Sequence, residues 1–323
     1  MKTRPSTPRS VAGSLVLSVL AALSPNASAD QGGVAFWWSG QFASLAAVPA
    51  APGWSLATVP YFYSGSANKS TTFQKGDTLV GGVNSTVPML MVQPGYAAEG
   101  KILGGQPYVG LAGGLAYNRT SVDLALSPPG LGGTRTDSVT GGSDLYPFAS
   151  LAWAKGNDNW MAYVTGDIPV GSYQSSRLSN TGIGHGAIDV GGGYTYLNGK
   201  TGLEFSGVAG VTYNMVNPAT NYKNGVDSHL DWAVSQFLDD NWEVGVAGYV
   251  FYQLTGDSGS GDQVGAFKSR VASVGPEVGY AFKFNGQPAY INVRAYWEFW
   301  AQNRPEGFAL FATLSIPLGR AAK

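Results

Sequence analysis

From about residue 100 onward, apolar and polar residues alternate with a period of two in runs of roughly ten, and turn-rich segments separate the runs. In Trp242 to Thr255, one face collects Trp242, Val244, Val246, Gly248, Val250, Tyr252 and Leu254, while Glu243, Gly245, Ala247, Tyr249, Gln253 and Thr255 fall mostly on the other. Successive strand side chains point to opposite sides, so one face suits lipid and the other water. Ala289 to Trp300 behaves alike: Ala289, Ile291, Val293, Ala295, Trp297 and Phe299 oppose Tyr290, Asn292, Arg294, Tyr296, Glu298 and Trp300. In the last run Phe308, Leu310, Ala312, Leu314, Ile316 and Leu318 form an unbroken apolar face, as a closing C-terminal barrel strand requires.

These patterns predict an all-β protein, a transmembrane antiparallel β-barrel of about twelve strands. A soluble β-sandwich is the alternative, and two features weigh against it. Aromatics gather at strand ends, among them Trp153, Trp160, Tyr194, Tyr196, Trp242, Tyr252, Trp297 and Phe299, as in the girdles of membrane barrels. Short connections (155–159, 198–200, 239–241, 285–287) alternate with longer ones (64–85, 127–142, 171–184, 217–225, 255–268 and the shorter 303–307), matching short periplasmic turns and long outer loops. The apolar run Val34 to Val48, with Phe36, Trp37 and Trp38, would be a thirteenth strand. An even-numbered barrel has no place for it in the wall, so residues 30–50 are expected inside the lumen or across an opening.

Composition narrows the reading. Charged residues make up 12% of the chain, aromatics another 12%, and 46 of 323 residues are Gly, an unusual balance for a soluble domain. Lys2, Arg4 and Arg9 precede an apolar run from Val11 to Leu23 and then Ala27-Ser28-Ala29, the layout of a secretory signal peptide. The expected organisation is a leader over 1–29, cleaved near Ala29, and one barrel domain over 30–323 in the outer membrane of a Gram-negative bacterium. Cleavage leaves 16 basic against 20 acidic residues, which gives no basis for nucleic-acid binding. Without cysteine there is no disulfide framework, thiolate metal site or thiol nucleophile.

Parity assigns Asp144, Asp167, Asp189, Glu204, Asp227, Asp231, Glu243, Glu277 and Glu298 to the lumen, with Asn292, Lys283, Arg294 and His229. Such an interior is hydrated and acidic, either a selectivity field for what passes or simply a solvated filling. Tyr249, Phe251, Tyr290, Tyr296 and Trp300 are expected to line the inside, giving an apolar solute weak sequential contacts or filling a narrow barrel. The outer loops carry Lys69, Lys75, Arg119, Arg135, Arg177, Lys223, Lys268, Arg270 and Arg304, placed to meet lipopolysaccharide phosphates or water.

Catalytic chemistry has little to stand on. The two histidines are His185, in a glycine-rich stretch, and His229, on one face with Asp227 and Asp231. Asp and His two apart on a strand orient an imidazole, but Ser228 lies on the opposite face. Asp257 to Asp262 (DSGSGD) lacks the spacing of a calcium loop. No catalytic residue, metal or cofactor is assigned.

Several stretches resemble the outer-membrane family named for a meta pathway of phenol degradation. They are Ala47-Val48-Pro49 with Pro52-Gly53-Trp54, Asn217 to Tyr222 (NPATNY), Gly248-Tyr249 with Gln253 to Gly259 (QLTGDSG), Gly275 to Tyr280 (GPEVGY), and Glu298-Phe299 with Asn303 to Gly307 (NRPEG). The resemblance spans nearly the whole mature chain; where the family has Asp-Tyr, this chain has Asn221-Tyr222. It implies a monomeric barrel of about twelve strands admitting small, often hydrophobic compounds. The resulting expectation is a passive channel for small hydrophobic or aromatic solutes, with outer-membrane lipid and lipopolysaccharide as its surroundings. A barrel enzyme acting on lipid and a closed structural or adhesive barrel are the alternatives.

Overall fold

The structure, a computed structural model, describes residues 34–75, 78–124, 133–263, 265–266 and 268–319. The expected leader lies outside them. Thirteen strands follow one another: β1 (Gly53–Lys75), β2 (Thr78–Ala97), β3 (Gln106–Leu124), β4 (Gly133–Gly142), β5 (Tyr146–Lys155), β6 (Asp158–Asp167), β7 (Ala187–Leu197), β8 (Leu203–Asn214), β9 (Asp227–Phe237), β10 (Trp242–Gln253), β11 (Arg270–Phe284), β12 (Gln287–Gln302) and β13 (Glu306–Pro317). All pairings are antiparallel, and β1 pairs with both β2 and β13, so the sheet closes on itself.

The wall has twelve strands. β3 pairs with β5 along its first half, through Gln106 to Ala112, and with β4 along its second half, Leu115 to Leu124. β4 is therefore a flap on the outer end of β3 and not a stave. Closure leaves no wall strand with an unpaired edge, which is what a bilayer demands of a spanning sheet. No described helix is long and apolar enough to cross a membrane.

Burial follows the alternation strand by strand. On β10, Val244 and Val246 are exposed while Glu243, Ala247, Tyr249 and Phe251 are buried; on β9, Leu230 and Val234 are exposed while His229, Asp231 and Ala233 are buried. Apolar outside and polar inside inverts a soluble fold and gives the barrel a lipid-compatible belt. Aromatic pairs frame the belt, with Trp160 near Tyr194 and Trp242 near Tyr280 at the short-turn end, and Trp297 near Phe308 at the other. The short-turn end is periplasmic by the asymmetry common to such barrels.

At the outer end the wall continues upward. Strand β1 runs well past β13, β3 follows β2 as far as the Gly81–Asp123 pair, and the stretch read from sequence as a loop from Ser64 to Ser85 is mostly paired strand. The pairing slips between Ala67 and Thr72, where four residues face one. Bulges bend and twist a ribbon, and beyond this one the hairpin leans across the mouth. Gln74 Nε2 donates to the Gly261 carbonyl at 2.8 Å, and Gln74 Oε1 accepts from Gln263 N at 3.0 Å. Phe73, Val80 and Val83 of the hairpin pack with Val122 and Leu178.

Candidate functional site: the filled lumen

Asp167, Asp189, Glu204, Asp227, His229, Asp231, Glu243, Glu277, Asn292, Arg294, Glu298, Tyr249 and Tyr296 are all buried on the inward face of their strands. What surrounds them is mostly protein. Residues 34–52 run through the barrel interior, and the wall's polar side chains satisfy their backbone. Asp231 accepts from Gly40 N (2.9 Å) and Phe42 N (3.3 Å), Glu204 from Leu45 N (3.0 Å), Ser206 from Ala46 N (3.3 Å) and Thr195 from Ala47 N (3.0 Å). Across the barrel, Arg294 donates to the carbonyls of Gly40 (3.0 Å) and Gln41 (2.7 Å).

Ser44 ties three strands together: its hydroxyl lies 3.0 Å from Glu204 Oε2, 3.0 Å from Ser235 Oγ and 2.6 Å from Glu277 Oε1. Glu277 also accepts from Asn292 Nδ2, Glu243 accepts from the Tyr290 hydroxyl, and Asp227 accepts from Asn214 Nδ2 at 2.7 Å. An irregular backbone inside a barrel has no ladder of its own, so each of its N–H and C=O groups needs such a partner. Polar residues missed by a search for charges, Thr195 and Ser206, share this task, and Ser235 meets the Ser44 hydroxyl. The inward parity of these three wall residues, shared with Asp189, Glu204 and Asp231, was the available signal.

Gly40 marks the tightest approach. Its φ is +85°, and a Cβ built there would lie 2.7 Å from Tyr296 Cε2 and 2.9 Å from Tyr249 Cδ1. Both rings are fixed, since the Tyr296 hydroxyl donates to the Gly40 carbonyl (3.2 Å) and the Tyr249 hydroxyl to Glu298 (2.8 Å).

His229 sits deeper in the same packing. Trp37 stacks on its ring with centroids 3.4 Å apart, and its Nε2 lies 3.1 Å from Asp189 Oδ2 and 3.2 Å from the Tyr163 hydroxyl. Tyr163 and Thr212 also donate to Asp189, at 2.8 and 2.6 Å. The carboxylate beside the imidazole is thus Asp189, two strands away, and not Asp227 or Asp231 on its own strand. Gly210 makes this possible, because a Cβ there would strike the Tyr163 hydroxyl and come 2.6 Å from His229 Nε2. Ser228 faces outward and donates to the Tyr252 carbonyl at 2.9 Å.

Among the described residues, a chamber lies on either side of the segment. The inner one, about 970 Å³, opens at the short-turn end, where Trp54, Gln287 and Pro317 border it, and extends past Tyr108, Phe148 and Tyr290. The outer one, about 210 Å³, lies under the loops among Tyr61, Tyr63, Met89, Tyr249 and Lys75. Phe36, Trp38 and Tyr146 border both chambers. Trp38 meets Tyr146 edge-on at 5.3 Å and lies parallel to Tyr61 at 6.1 Å.

Three sequence assignments need correction. Trp300 is 45% exposed, not inward. It has φ +60° and lies where Trp300 and Ala301 together face Val271 alone; this bulge turns the ring out, against the Arg270 guanidinium at 4.5 Å. Asp144 is buried between β4 and β5 in the outer loops, accepting from Gly171 N and Ile183 N at 2.7 Å each. It anchors a loop instead of lining the lumen. Lys283 is exposed at the periplasmic end of β11.

The outer motifs lock to one another. Asp257 accepts from the Tyr222 hydroxyl (2.5 Å), Gly225 N (2.8 Å) and Gln253 Nε2 (2.5 Å), joining the NPATNY turn to the QLTGDSG stretch. Arg177 is paired with Asp137, Nη2 to Oδ1 at 2.8 Å, and this partner holds the Asp137 carboxyl down at about 2. Burial pushes the His185 imidazole below its ordinary value. Among the described residues no His, Asp and Glu cluster is arranged to hold a metal.

A solved outer-membrane channel shares this architecture. The COG4313 outer membrane channel from Pseudomonas putida F1 superposes with a TM-score of 0.60 at 15% identity, over 83% of this chain and 96% of that one. The beta domain of the Bordetella autotransporter BrkA covers 83% of this chain and 100% of its own, with a TM-score of 0.48 and 12% identity. Among curated proteins none matches the sequence. The fold is that of an outer-membrane β-barrel. Residues 68–314 match the family described as "Putative MetA-pathway of phenol degradation", and a match over that much of the sequence means that the chain belongs to this family.

Proposed function

We propose that the protein is an outer-membrane channel that admits small hydrophobic or aromatic compounds down their concentration gradient. In this reading the leader is removed near Ala29, the barrel works as a monomer among outer-membrane lipid and lipopolysaccharide, and no cofactor or catalytic step is involved. One observation carries it: two aromatic-lined chambers meet at Phe36, Trp38 and Tyr146, on a segment held by hydrogen bonds and packing. A segment held this way can move without unpairing any wall strand. The similarity to a COG4313 outer membrane channel is in keeping with this reading.

The same segment supports a rival, a barrel closed for structural reasons. Uptake separates the two. Cells carrying the gene should accumulate ethylbenzene, toluene or related solutes faster than a deletion strain, and the purified protein should show discrete current steps in a planar bilayer. Equal uptake over a broad solute panel together with a silent bilayer would establish the closed barrel.

A further inference from the structure

The outer chamber contains a charge that its surroundings do not explain. Lys75, next to the tip of the β1–β2 hairpin, is only 9% exposed and borders the chamber. Among the described residues its ammonium has neither an acidic partner nor a hydrogen bond, and burial pushes it down to about 8. Three other basic residues of the outer loops behave otherwise. Arg177 is paired with Asp137, Lys268 Nζ donates to the Leu254 carbonyl at 2.7 Å, and Lys223 Nζ donates to the Tyr213 hydroxyl at 2.9 Å.

A lysine brought in from the hairpin tip and left unpaired over a cavity costs free energy. The hairpin is nonetheless held in place, by Gln74 next to it and by the packing of Phe73. The other ionisable groups facing the chamber are Arg177, His185, Glu298 and Arg304, together with the phenols of Tyr61, Tyr63, Tyr146, Tyr173 and Tyr249, which are neutral from pH 7 to 9. The lone carboxylate among them, Glu298, is already taken by the Tyr63 hydroxyl (3.0 Å), the Tyr249 hydroxyl (2.8 Å) and Gly307 N (2.8 Å). The unmet demand in the chamber is for an anion.

Its walls define the rest of the ligand. Trp38, Tyr61, Tyr249 and Met89 give flat apolar surface. At about 210 Å³ the chamber falls short of the ~300 Å³ at which drug-sized pockets begin, yet exceeds the roughly 150 Å³ of an apolar cavity that holds benzene.

We infer that the outer chamber is a binding site for single-ring aromatic carboxylates, with the Lys75 ammonium meeting the carboxylate and the ring lying among Trp38, Tyr61, Tyr249 and Met89. The inference rests on the channel reading and deepens it: the outer mouth selects an aromatic acid over its neutral counterpart. Charge on Lys75 is required, so the preference should fade as pH rises from 7 to 9, while a carboxylate ligand stays ionised throughout.

Titration calorimetry on the folded barrel tests it, with benzoate and benzyl alcohol as probes. Benzoate should bind at least tenfold more tightly than benzyl alcohol, Lys75→Met should remove that preference, and Lys75→Arg should restore it. Heat-modifiable migration on detergent gels checks that each variant is folded. Benzoate binding no tighter than benzyl alcohol, a preference that survives Lys75→Met, or no binding of either probe overturns the inference. None of these outcomes decides the channel reading, which stands or falls on cellular uptake of neutral aromatics.

Discussion

Replacing Gly40 by alanine adds a single methyl group, and the structure says where it goes. The backbone there has φ +85°, and the new carbon would lie 2.7 Å from Tyr296 and 2.9 Å from Tyr249. An L-residue in a left-handed conformation costs roughly 1–2 kcal/mol, and overpacking a filled site costs about 1–3 kcal/mol. Neither ring can yield freely: Tyr296 and Tyr249 are essentially buried, stand edge-on at 5.1 Å and are held through their hydroxyls. The combined penalty of about 2–5 kcal/mol falls on the lumen segment and not on the wall, and at ~1.4 kcal/mol per tenfold it shifts the segment's seated-to-displaced ratio by between thirty-fold and a few thousand-fold. Single-channel recording reads this as open probability. Gly40→Ala should give long or continuous openings where the parent gives rare brief ones, and residues 34–50 should become accessible to protease in the folded barrel. Traces and digestion patterns indistinguishable from the parent would refute the reasoning, because the methyl would then have found room that the packing denies.

Other consequences follow from the wall and the loops. Val293 is 42% exposed on the lipid side and Asn292 is buried, so Val293→Arg should cost roughly 2–4 kcal/mol in folding into bilayers, while Asn292→Arg should insert normally and alter conductance; the reverse result in a urea-titrated folding assay would mean that the register is wrong. Asp137 is held at about 2, chiefly by the Arg177 hydrogen bond. A depressed carboxyl contributes stability above its unfolded value near ~4 and loses it as pH falls through the folded one. Hydrogen exchange at Ser179, whose N–H donates to Asp137, should therefore stay slow at pH 4 and accelerate toward pH 2 after correction for intrinsic rate; Asp137→Asn should make it fast at both.

Much of the wall was legible because a strand in lipid has few choices. Val244 and Glu243, or Val293 and Arg294, declare their sides through a two-residue period, and twelve staves follow from counting the runs. Trp300 escaped because a bulge is a local event with φ +60° that period alone does not register. The β1–β2 hairpin was misread as a loop since residues 64–85 are mostly Gly, Ser, Thr, Asn and Lys, and the apolar Phe73, Val80 and Val83 that it buries are too few and too widely spaced to set a two-residue period. The partner of His229 was hidden for a different reason. Asp189 lies two strands away, and the gap between them closes through Gly210 and Tyr163, a juxtaposition visible only once the register is fixed. Likewise, Val34 to Val48 could be excluded from the wall by parity, but the identity of its anchors, from Asp231 to Arg294, depends on three-dimensional proximity.

For the barrel to act as the proposed channel, solutes must cross through the lumen, and residues 34–52 must move for them to do so. The chain has no cysteine, and the hydroxyls of Ser44 on the segment and Ser235 on the wall are 3.0 Å apart, so a Ser44→Cys, Ser235→Cys pair offers one possible disulfide and no competitor. Uptake of ethylbenzene by cells carrying this double variant, measured oxidised and then after reduction, is the direct test. Oxidation should bring uptake down to the level of a deletion strain, and reductant should restore it. Uptake that is unchanged while the bond is verified as formed would contradict this requirement, because the compound would then be crossing with the segment fixed in place.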